Sequence, residues 1–358
     1  MRRALLLSRR GFTPPNPLVG CVLVRGGEVV GEGWHRFAGA PHAEAEALAV
    51  AGELARDATA YVTLEPCAHF GRTPPCADAL IRAGVRRVVA AVSDPDPRTA
   101  GAGLERLRAA GLDVVCGPLE PEARAANAPF FHFHATGTPH VTLKAAVTLD
   151  GKIATASGDA RWVTGAPARR FAHRLRAQAG AVLCGIGTVL ADDPLLTARI
   201  RGVPRQPLRV ILDTRLRTPA ASRLARTAAE TPTLIVAGTD APPSAAQELR
   251  AAGIEILVLA TDNKNRIPLG PLLAELARRR IISVLVEGGG EVHAAFLKAG
   301  CVQRLLWFVA PKIAGGRHAP TSVGGAGAKR MANALPLAPF HVRRMGADLL
   351  LESKPVPM

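Results

Sequence analysis

The sequence predicts an α/β protein of two domains, and three observations carry that prediction. The chain has 358 residues, more than one compact domain usually holds. Strand-like and helix-like segments alternate along both halves. The two series meet at Thr136-Gly-Thr-Pro139, where the chain is expected to divide into 1–137 and 138–353. With 48% hydrophobic and 21% charged residues, the composition is ordinary for a globular protein. No apolar run approaches the ~20 residues of a membrane helix, so no membrane contact is expected.

The first half reads in order as follows. Met1 to Arg10 begins like a leader peptide, but its apolar core is only Ala4 to Leu7 before Arg9 and Arg10, too short for one. Val19-Gly-Cys-Val-Leu-Val24 and Glu28-Val-Val30 flank Gly26-Gly27 as a hairpin. Pro41 suits the first turn of a helix that runs through Ala43-Glu-Ala-Glu-Ala-Leu-Ala. Ala60-Tyr-Val-Thr-Leu64 is a strand, and Cys76-Ala-Asp-Ala-Leu-Ile-Arg-Ala-Gly84 a helix closed by glycine. A strand over 85–92, a helix over 103–110 and a strand over 112–116 follow, and 123–134 is helical in pattern. That order suggests a three-layer α/β/α domain.

The second half opens with a strand over 140–147 and the turn Asp150-Gly151. Three strand ends then carry glycines or acids. Ala181-Val-Leu-Cys184 runs into Gly185-Ile-Gly-Thr188 and Asp192-Asp-Pro194. Arg209-Val-Ile-Leu-Asp213 ends in Thr214-Arg215. Ser283-Val-Leu-Val286 ends in Glu287-Gly-Gly-Gly-Glu291, followed by a helix over 292–300. Glycines between a strand end and a helix start let backbone N–H groups approach a phosphate. Ligands of α/β sheets collect beyond the carboxyl ends of the strands, so these loops are candidates for a phosphate-rich cofactor, or are simply tight turns.

One stretch carries chemistry more plainly. Pro41-His-Ala-Glu44, Leu64-Glu-Pro-Cys67 and Cys76 set out one imidazole, two thiols and a spare carboxylate. Zinc that activates water keeps three protein ligands and one open position, and His42, Cys67 and Cys76 supply three. Glu44 is then the acid free to move protons. The order matches the His-x-Glu and Pro-Cys-x-x-Cys signature of zinc nucleobase deaminases, except that eight residues, Ala68 to Pro75, separate the cysteines. Both His42 and Cys76 fall near helix N-termini, which favour anionic ligands.

The net charge of +16 raises nucleic-acid binding. Its arginines are scattered and aromatics make up only 4%, so no nucleic-acid partner is expected. The six cysteines read as ligands or free thiols in a cytoplasmic protein rather than as a disulfide framework. Cys21, Cys116, Cys184 and Cys301 lie in apolar stretches and are expected to be inert.

Six separated motifs resemble one family, the bifunctional riboflavin-biosynthesis deaminase–reductases of bacteria. They are Thr13-Pro-Pro-Asn-Pro-Leu-Val-Gly-Cys21, Pro41-His-Ala-Glu44, the Leu64 to Cys76 segment, Thr148-Leu-Asp-Gly-Lys152, Gly185-Ile-Gly-Thr-Val-Leu-Ala-Asp-Asp-Pro194 and Val286-Glu-Gly-Gly-Gly290. The long inter-cysteine spacing is that family's own form. The resemblance implies a cytidine-deaminase-like first domain that removes an amino group from a phosphoribosylated diaminopyrimidinone. It implies a dihydrofolate-reductase-like second domain that uses NADPH to reduce the ribosyl group to a ribityl chain, in a homo-oligomer, dimer or tetramer. Asn16, His69 and Arg72 would contact the first substrate. The family pattern falls on Ala146, Trp162, Thr188, Asp192, Thr214, Gly289, Gly290, Glu291, Val292, His293, Ala294 and Ala295 for NADPH. It falls on Arg176, Leu196, Arg199 and Glu287 for the sugar phosphate, with Lys144 as a further contact. Ala160 stands where the family often has a substrate-binding serine.

Two other readings explain part of the pattern. A transfer-RNA or nucleoside deaminase with an unrelated second domain accounts for the zinc motif alone. A second domain that only binds or dimerises leaves a single activity.

Overall fold

The computed structural model describes residues 1–70 and 74–356. It divides into two compact units, Met1–Gly137 and Thr138–Met358.

In the first unit helix α1 (Arg2–Ser8) precedes the hairpin β1 (Gly20–Arg25) and β2 (Glu28–Trp34). Then come α2 (Ala43–Ala51), β3 (Thr59–Val62), α3 (Cys76–Arg82), β4 (Arg87–Ala90), α4 (Ala102–Ala109), β5 (Asp113–Cys116), α5 (Glu120–Ala126) and α6 (Ala128–Thr136). The sheet order is β2-β1-β3-β4-β5. The β1 pairings are antiparallel, and β3, β4 and β5 run parallel. Alternation along the strands decides the layers. Cys21 and Leu23 of β1 join Ala43 and Ala47 of α2, Leu80 of α3 and Leu107 of α4 in one core. The intervening Val22 turns to the other face, onto Ala4 and Leu7 of α1. The expected three layers are present.

Two elements differ from the sequence reading. Residues 2–8, to which the sequence reading gave no element, form helix α1, with Ala4, Leu5 and Leu7 buried. The single helix expected over 123–134 is two, broken at Asn127 (φ −112°, ψ 25°) with Pro129 in the first turn of α6. Asn127 turns its amide to both backbone groups of Leu18, accepting from the Leu18 N–H at 2.7 Å and donating to its carbonyl at 2.9 Å. That pair outweighs one helical hydrogen bond at a position proline already weakens.

The second unit contains β6 (His140–Thr148), α7 (Ala166–Ala177), β7 (Ala181–Gly185), α8 (Ile186–Asp192), β8 (Leu208–Leu212), α9 (Arg223–Arg226), β9 (Thr233–Gly238) and α10 (Pro243–Ala251). It continues through β10 (Glu255–Leu259), α11 (Leu269–Arg278), β11 (Ser283–Val286), α12 (Gly290–Lys298), β12 (Arg304–Ala310), β13 (His341–Met345) and β14 (Asp348–Ser353). Its sheet has the order β10-β9-β8-β7-β11-β6-β12-β14-β13. From β10 to β12 the strands are parallel, and the β13–β14 hairpin adds an antiparallel edge. Ala181 and Leu183 face α11 and α12, whereas Val182 and Cys184 face α8, α9 and α10. Both faces are covered, which is why these strands read as unbroken apolar runs. The carboxyl ends of β8, β7, β11 and β6 therefore lie side by side along one edge.

Candidate active sites

In the first unit the fold brings the zinc motif together. Gly31 and Gly33 of β2 allow α2 to lie directly on the strand, since a Cβ on Gly33 would come within 2.3 Å of the Ala43 carbonyl. This close approach sets down the start of α2, where His42 is the N-cap and Glu44 lies in the first turn. Cys67 follows the end of β3, and Cys76 opens α3. His42 Nδ1 is 3.2 Å from Cys76 Sγ and 3.7 Å from Cys67 Sγ. The Cys76 N–H donates to Cys67 Sγ at 3.4 Å.

All three donor atoms lie within 4.8 Å of one another, the one such His/Cys/Asp/Glu group among the described residues. Zinc–sulfur and zinc–nitrogen bonds of ~2.3 and ~2.0 Å put tetrahedral ligand atoms about 3.5–3.8 Å apart. The residues present fit zinc. The hydrogen bond from Cys76, with His42 beside it, pulls the Cys67 thiol down to about 4. Contact with Cys67 raises His42. Glu44 is 3% exposed, and burial pushes its carboxyl up to about 7, a value suited to accepting and returning a proton near neutrality.

Two further residues shape the surroundings, and of these sequence reasoning passed over Glu65. His35 is buried beneath the His42 ring, edge to face at 5.4 Å. Its Nδ1 lies 3.1 Å from the Pro41 carbonyl and its Nε2 3.1 Å from Asn16 Nδ2. A carbonyl only accepts, so Nδ1 carries the proton, Nε2 accepts from Asn16, and Asn16 keeps its Oδ1 for another partner. Glu65 is also buried. Its carboxylate accepts from the N–H groups of Asp94, Gly101, Gly103 and Leu104 at 2.9–3.3 Å. It thereby fixes the loop before α4, whose Thr99 meets His69 Nδ1 at 3.2 Å. The signal was its place immediately before Pro66-Cys67. Arg72 lies outside the described residues.

In the second unit the strand-end loops converge. Glu287, just past β11, is bound through both oxygens by Arg176 of α7 at 2.8 and 2.9 Å. Lys144 of β6 reaches the same carboxylate at 3.5 Å, and the Arg176 and Glu287 side chains are only 15% and 7% exposed. Burial opposes the charge on Glu287, yet Arg176 and Lys144 hold its carboxyl below the usual range. Arg176 also donates to the Thr197 carbonyl at 3.1 Å. Leu196 has a buried side chain and a positive φ of 53°, so its backbone is the part left to face a ligand.

A Cβ on Gly187 would meet nothing within 4 Å, and one on Gly289 only Thr188 Oγ1 at 4.0 Å. The starts of α8 and α12 therefore leave open backbone between them, which fits a phosphate-bearing cofactor. Trp162 is 60% exposed, with the Arg169 guanidinium 4.6 Å over its ring. Asp192 ends α8 and accepts at its carbonyl from Arg161. Thr214 follows β8, and Ala146 lies half-buried on β6. Among the cofactor-loop residues, Glu291 accepts from the Gly325 N–H and the His293 ring is buried against the Ser322 carbonyl at 2.8 Å. Val292, Ala294 and Ala295 lie partly buried along the first turns of α12.

Of the four other cysteines, Cys21 and Cys184 are buried, and burial raises their thiols. Burial likewise pushes Cys301 up to about 11. Cys116, expected to be inert, is exposed at the end of edge strand β5.

Residues 1–92 match the family model for the cytidine and deoxycytidylate deaminase zinc-binding region, and residues 139–351 match the RibD C-terminal domain. The riboflavin biosynthesis protein RibD of Actinobacillus pleuropneumoniae is 44% identical, covering 98% of this chain and 93% of its own. The chain belongs to the RibD family. Acinetobacter baumannii RibD superposes with a TM-score of 0.87 at 40% identity, covering 99% of this chain and 98% of its own. A Thermotoga maritima structure described as a diaminohydroxyphosphoribosylaminopyrimidine deaminase/5-amino-6-(5-phosphoribosylamino)uracil reductase does so at 0.83 and 34% identity, covering 99% and 97%. The chain is thus a bifunctional riboflavin-biosynthesis enzyme, with a deaminase domain that includes the zinc-binding region and a reductase domain. No helix among the described residues is long and apolar enough to cross a membrane.

Proposed function

We propose that the first unit hydrolyses an amino group from a phosphoribosylated diaminopyrimidinone, and that the second reduces the ribosyl group of the product to a ribityl chain with NADPH. The observation that carries the first step is the convergence of His42 Nδ1, Cys67 Sγ and Cys76 Sγ beside a buried acid. Bound there, zinc supplies a Lewis acid that brings the pKa of a water toward neutrality. Glu44 takes one proton from the attacking water and gives it to the ring nitrogen, then carries the second, from the new hydroxyl, to the amino group, which leaves as ammonia as the C–N bond breaks and the carbonyl forms. Asn16 offers its Oδ1 to the ring, with its amide oriented by His35. His69 is a second substrate contact, and Arg72 suits the phosphate because a guanidinium binds two oxygens at once.

In the second unit NADPH, when bound, supplies hydride, and the chain's own residues supply position. The backbone of 289–295, with Thr188, Asp192, Thr214, Ala146 and Trp162, holds the cofactor. Arg176, Arg199, Glu287 and the Leu196 backbone hold the sugar phosphate, with Lys144 beside Glu287. Ala160 replaces one hydroxyl contact, worth about 0.5–1.5 kcal/mol, which weakens binding without ending reduction. The protein is proposed to act as a cytoplasmic homo-oligomer, a dimer or tetramer. Its substrate is a small molecule rather than a nucleic acid.

Cofactor choice tests the second half of the proposal. Arg215 and Arg217 are exposed just past β8, where either guanidinium meets the 2′-phosphate that NADH lacks. NADPH should quench tryptophan fluorescence through Trp162, and should be preferred over NADH by at least ~10-fold, or ~1.4 kcal/mol. Equal binding of the two would remove the arginines from the cofactor site.

A further inference from the structure

Arg209, in the middle of the apolar strand β8, is fully buried at 0% exposure. Among the described residues no carboxylate pairs with it. Its Nε donates to Thr233 Oγ1 at 2.9 Å. Its Nη1 donates to the Leu195 carbonyl at 3.3 Å and to Thr227 Oγ1 at 2.8 Å. Its Nη2 reaches the carbonyls of Leu224, Thr227 and Thr231 at 2.8–3.2 Å. Every N–H of the guanidinium thus has an oxygen, and every oxygen is neutral. Burial pulls its pKa down to about 10, which leaves it charged at neutral pH.

A buried cation without a counterion is a poor source of stability, and an apolar side chain of the same length often serves a core better. What the charge does here is gather main-chain oxygens from separate segments. Leu224 and Thr227 end α9, and Thr231 precedes β9. Leu195 belongs to a turn of unusual backbone, with Asp193 at φ 40° and Leu196 at φ 53°. Gln206 holds both backbone groups of Ala198 and His173 Nδ1 meets the Arg199 N–H, and three more ties run from that turn to α9, β8 and α7. Asp193 Oδ1 accepts from the Arg223 N–H at 2.7 Å, Arg209 holds the Leu195 carbonyl, and Arg176 holds the Thr197 carbonyl at 3.1 Å. The last tie leads straight to Glu287.

We propose that Arg209 is a positioning residue of the reductase, which holds the 193–199 turn so that the Leu196 backbone, Arg199 and Arg176 meet the sugar-phosphate substrate together. This rests on the assignment of the second unit as the sugar reductase. It places the effect of Arg209 on substrate binding, not on NADPH and not on deamination.

Full-length Arg209→Met, Arg209→Lys and Thr227→Val separate this role from a merely structural one. With NADPH saturating, Arg209→Met should raise KM for the deaminated substrate by about tenfold or more. Its NADPH affinity should stay within about twofold, and its deaminase rate should be unchanged. Arg209→Lys, which keeps the charge and a donor, should recover part of the loss. Thr227→Val loosens the same Nη1 and should raise KM by about threefold. An unchanged substrate KM in folded Arg209→Met overturns the proposal, as does a parallel rise in substrate KM and NADPH Kd. If neither Arg209 variant folds, Thr227→Val decides on the same readouts. Wild-type protein that fails to reduce the sugar would instead overturn the reductase assignment, and this inference with it.

Discussion

Cys76 shows how much one residue carries at the first site: it opens α3, donates its N–H to Cys67 and supplies a thiol facing His42. Protein purified without added metal should hold about one zinc per chain, and Cys76→Ser should lose most of it. Full zinc retention in both Cys67→Ser and Cys76→Ser would show that the metal sits elsewhere. At the second site Glu287 sets the pH behaviour. Its carboxyl lies below the ordinary glutamate value of 4.5 in the folded chain. The stability this gives is complete above the unfolded value and is lost as pH falls through the folded one. The stability gap between wild type and Glu287→Gln should therefore stay constant from about pH 8 to about pH 5 and narrow only in stronger acid. A gap that closes near pH 6 would mean the ion pair with Arg176 does not hold the charge. The candidate zinc ligands and Glu44 were legible because zinc chemistry demands rare side chains in a fixed order. Arg209 was not, because its partners are main-chain carbonyls and hydroxyls 14 to 24 residues away, and no motif records a carbonyl.

Among the elements, α2 matters most, because its N-cap is His42, a proposed ligand, and its first turn carries Glu44. Its seat on β2 depends on Gly31 and Gly33, where an added Cβ would press on the backbone of α2 at 2.3 Å. Gly33→Ala should therefore cost about 1–3 kcal/mol by overpacking and reduce bound zinc as His42 is displaced. Calorimetry and metal content on the same sample measure both, and wild-type values of each would show that the helix moves freely. The hairpin, α2, α3 and the strands were readable from apolar period and turn residues. Helix α1 was hidden by arginines at both ends that imitate a leader, although Ala4 and Leu7 bury one face. The break at Asn127 was hidden for another reason. Pro129 hinted at it, but the contact that fixes it joins residues 18 and 127, a separation no local pattern spans.

For the molecule as a whole, the two chemistries occupy two separate units, Met1–Gly137 and Thr138–Met358. Each has its own sheet and its own ionisable cluster. The division at Gly137 was visible as a change of pattern, whereas the order of the nine-stranded sheet was not, because parallel strands take neighbours distant in sequence. Two independent sites make a demanding expectation: damage to one leaves the other working. Glu44→Gln keeps the size and the zinc ligands while removing the proton carrier, so deamination should fall by ~10²-fold or more. The same protein should still reduce the deaminated substrate at the wild-type rate. Glu287→Gln should do the reverse, accumulating deaminated but unreduced product. Both half-reactions, assayed separately on both folded variants, give the most direct test. The expected result is one activity lost in each, and loss of both in Glu44→Gln would contradict two separate active sites.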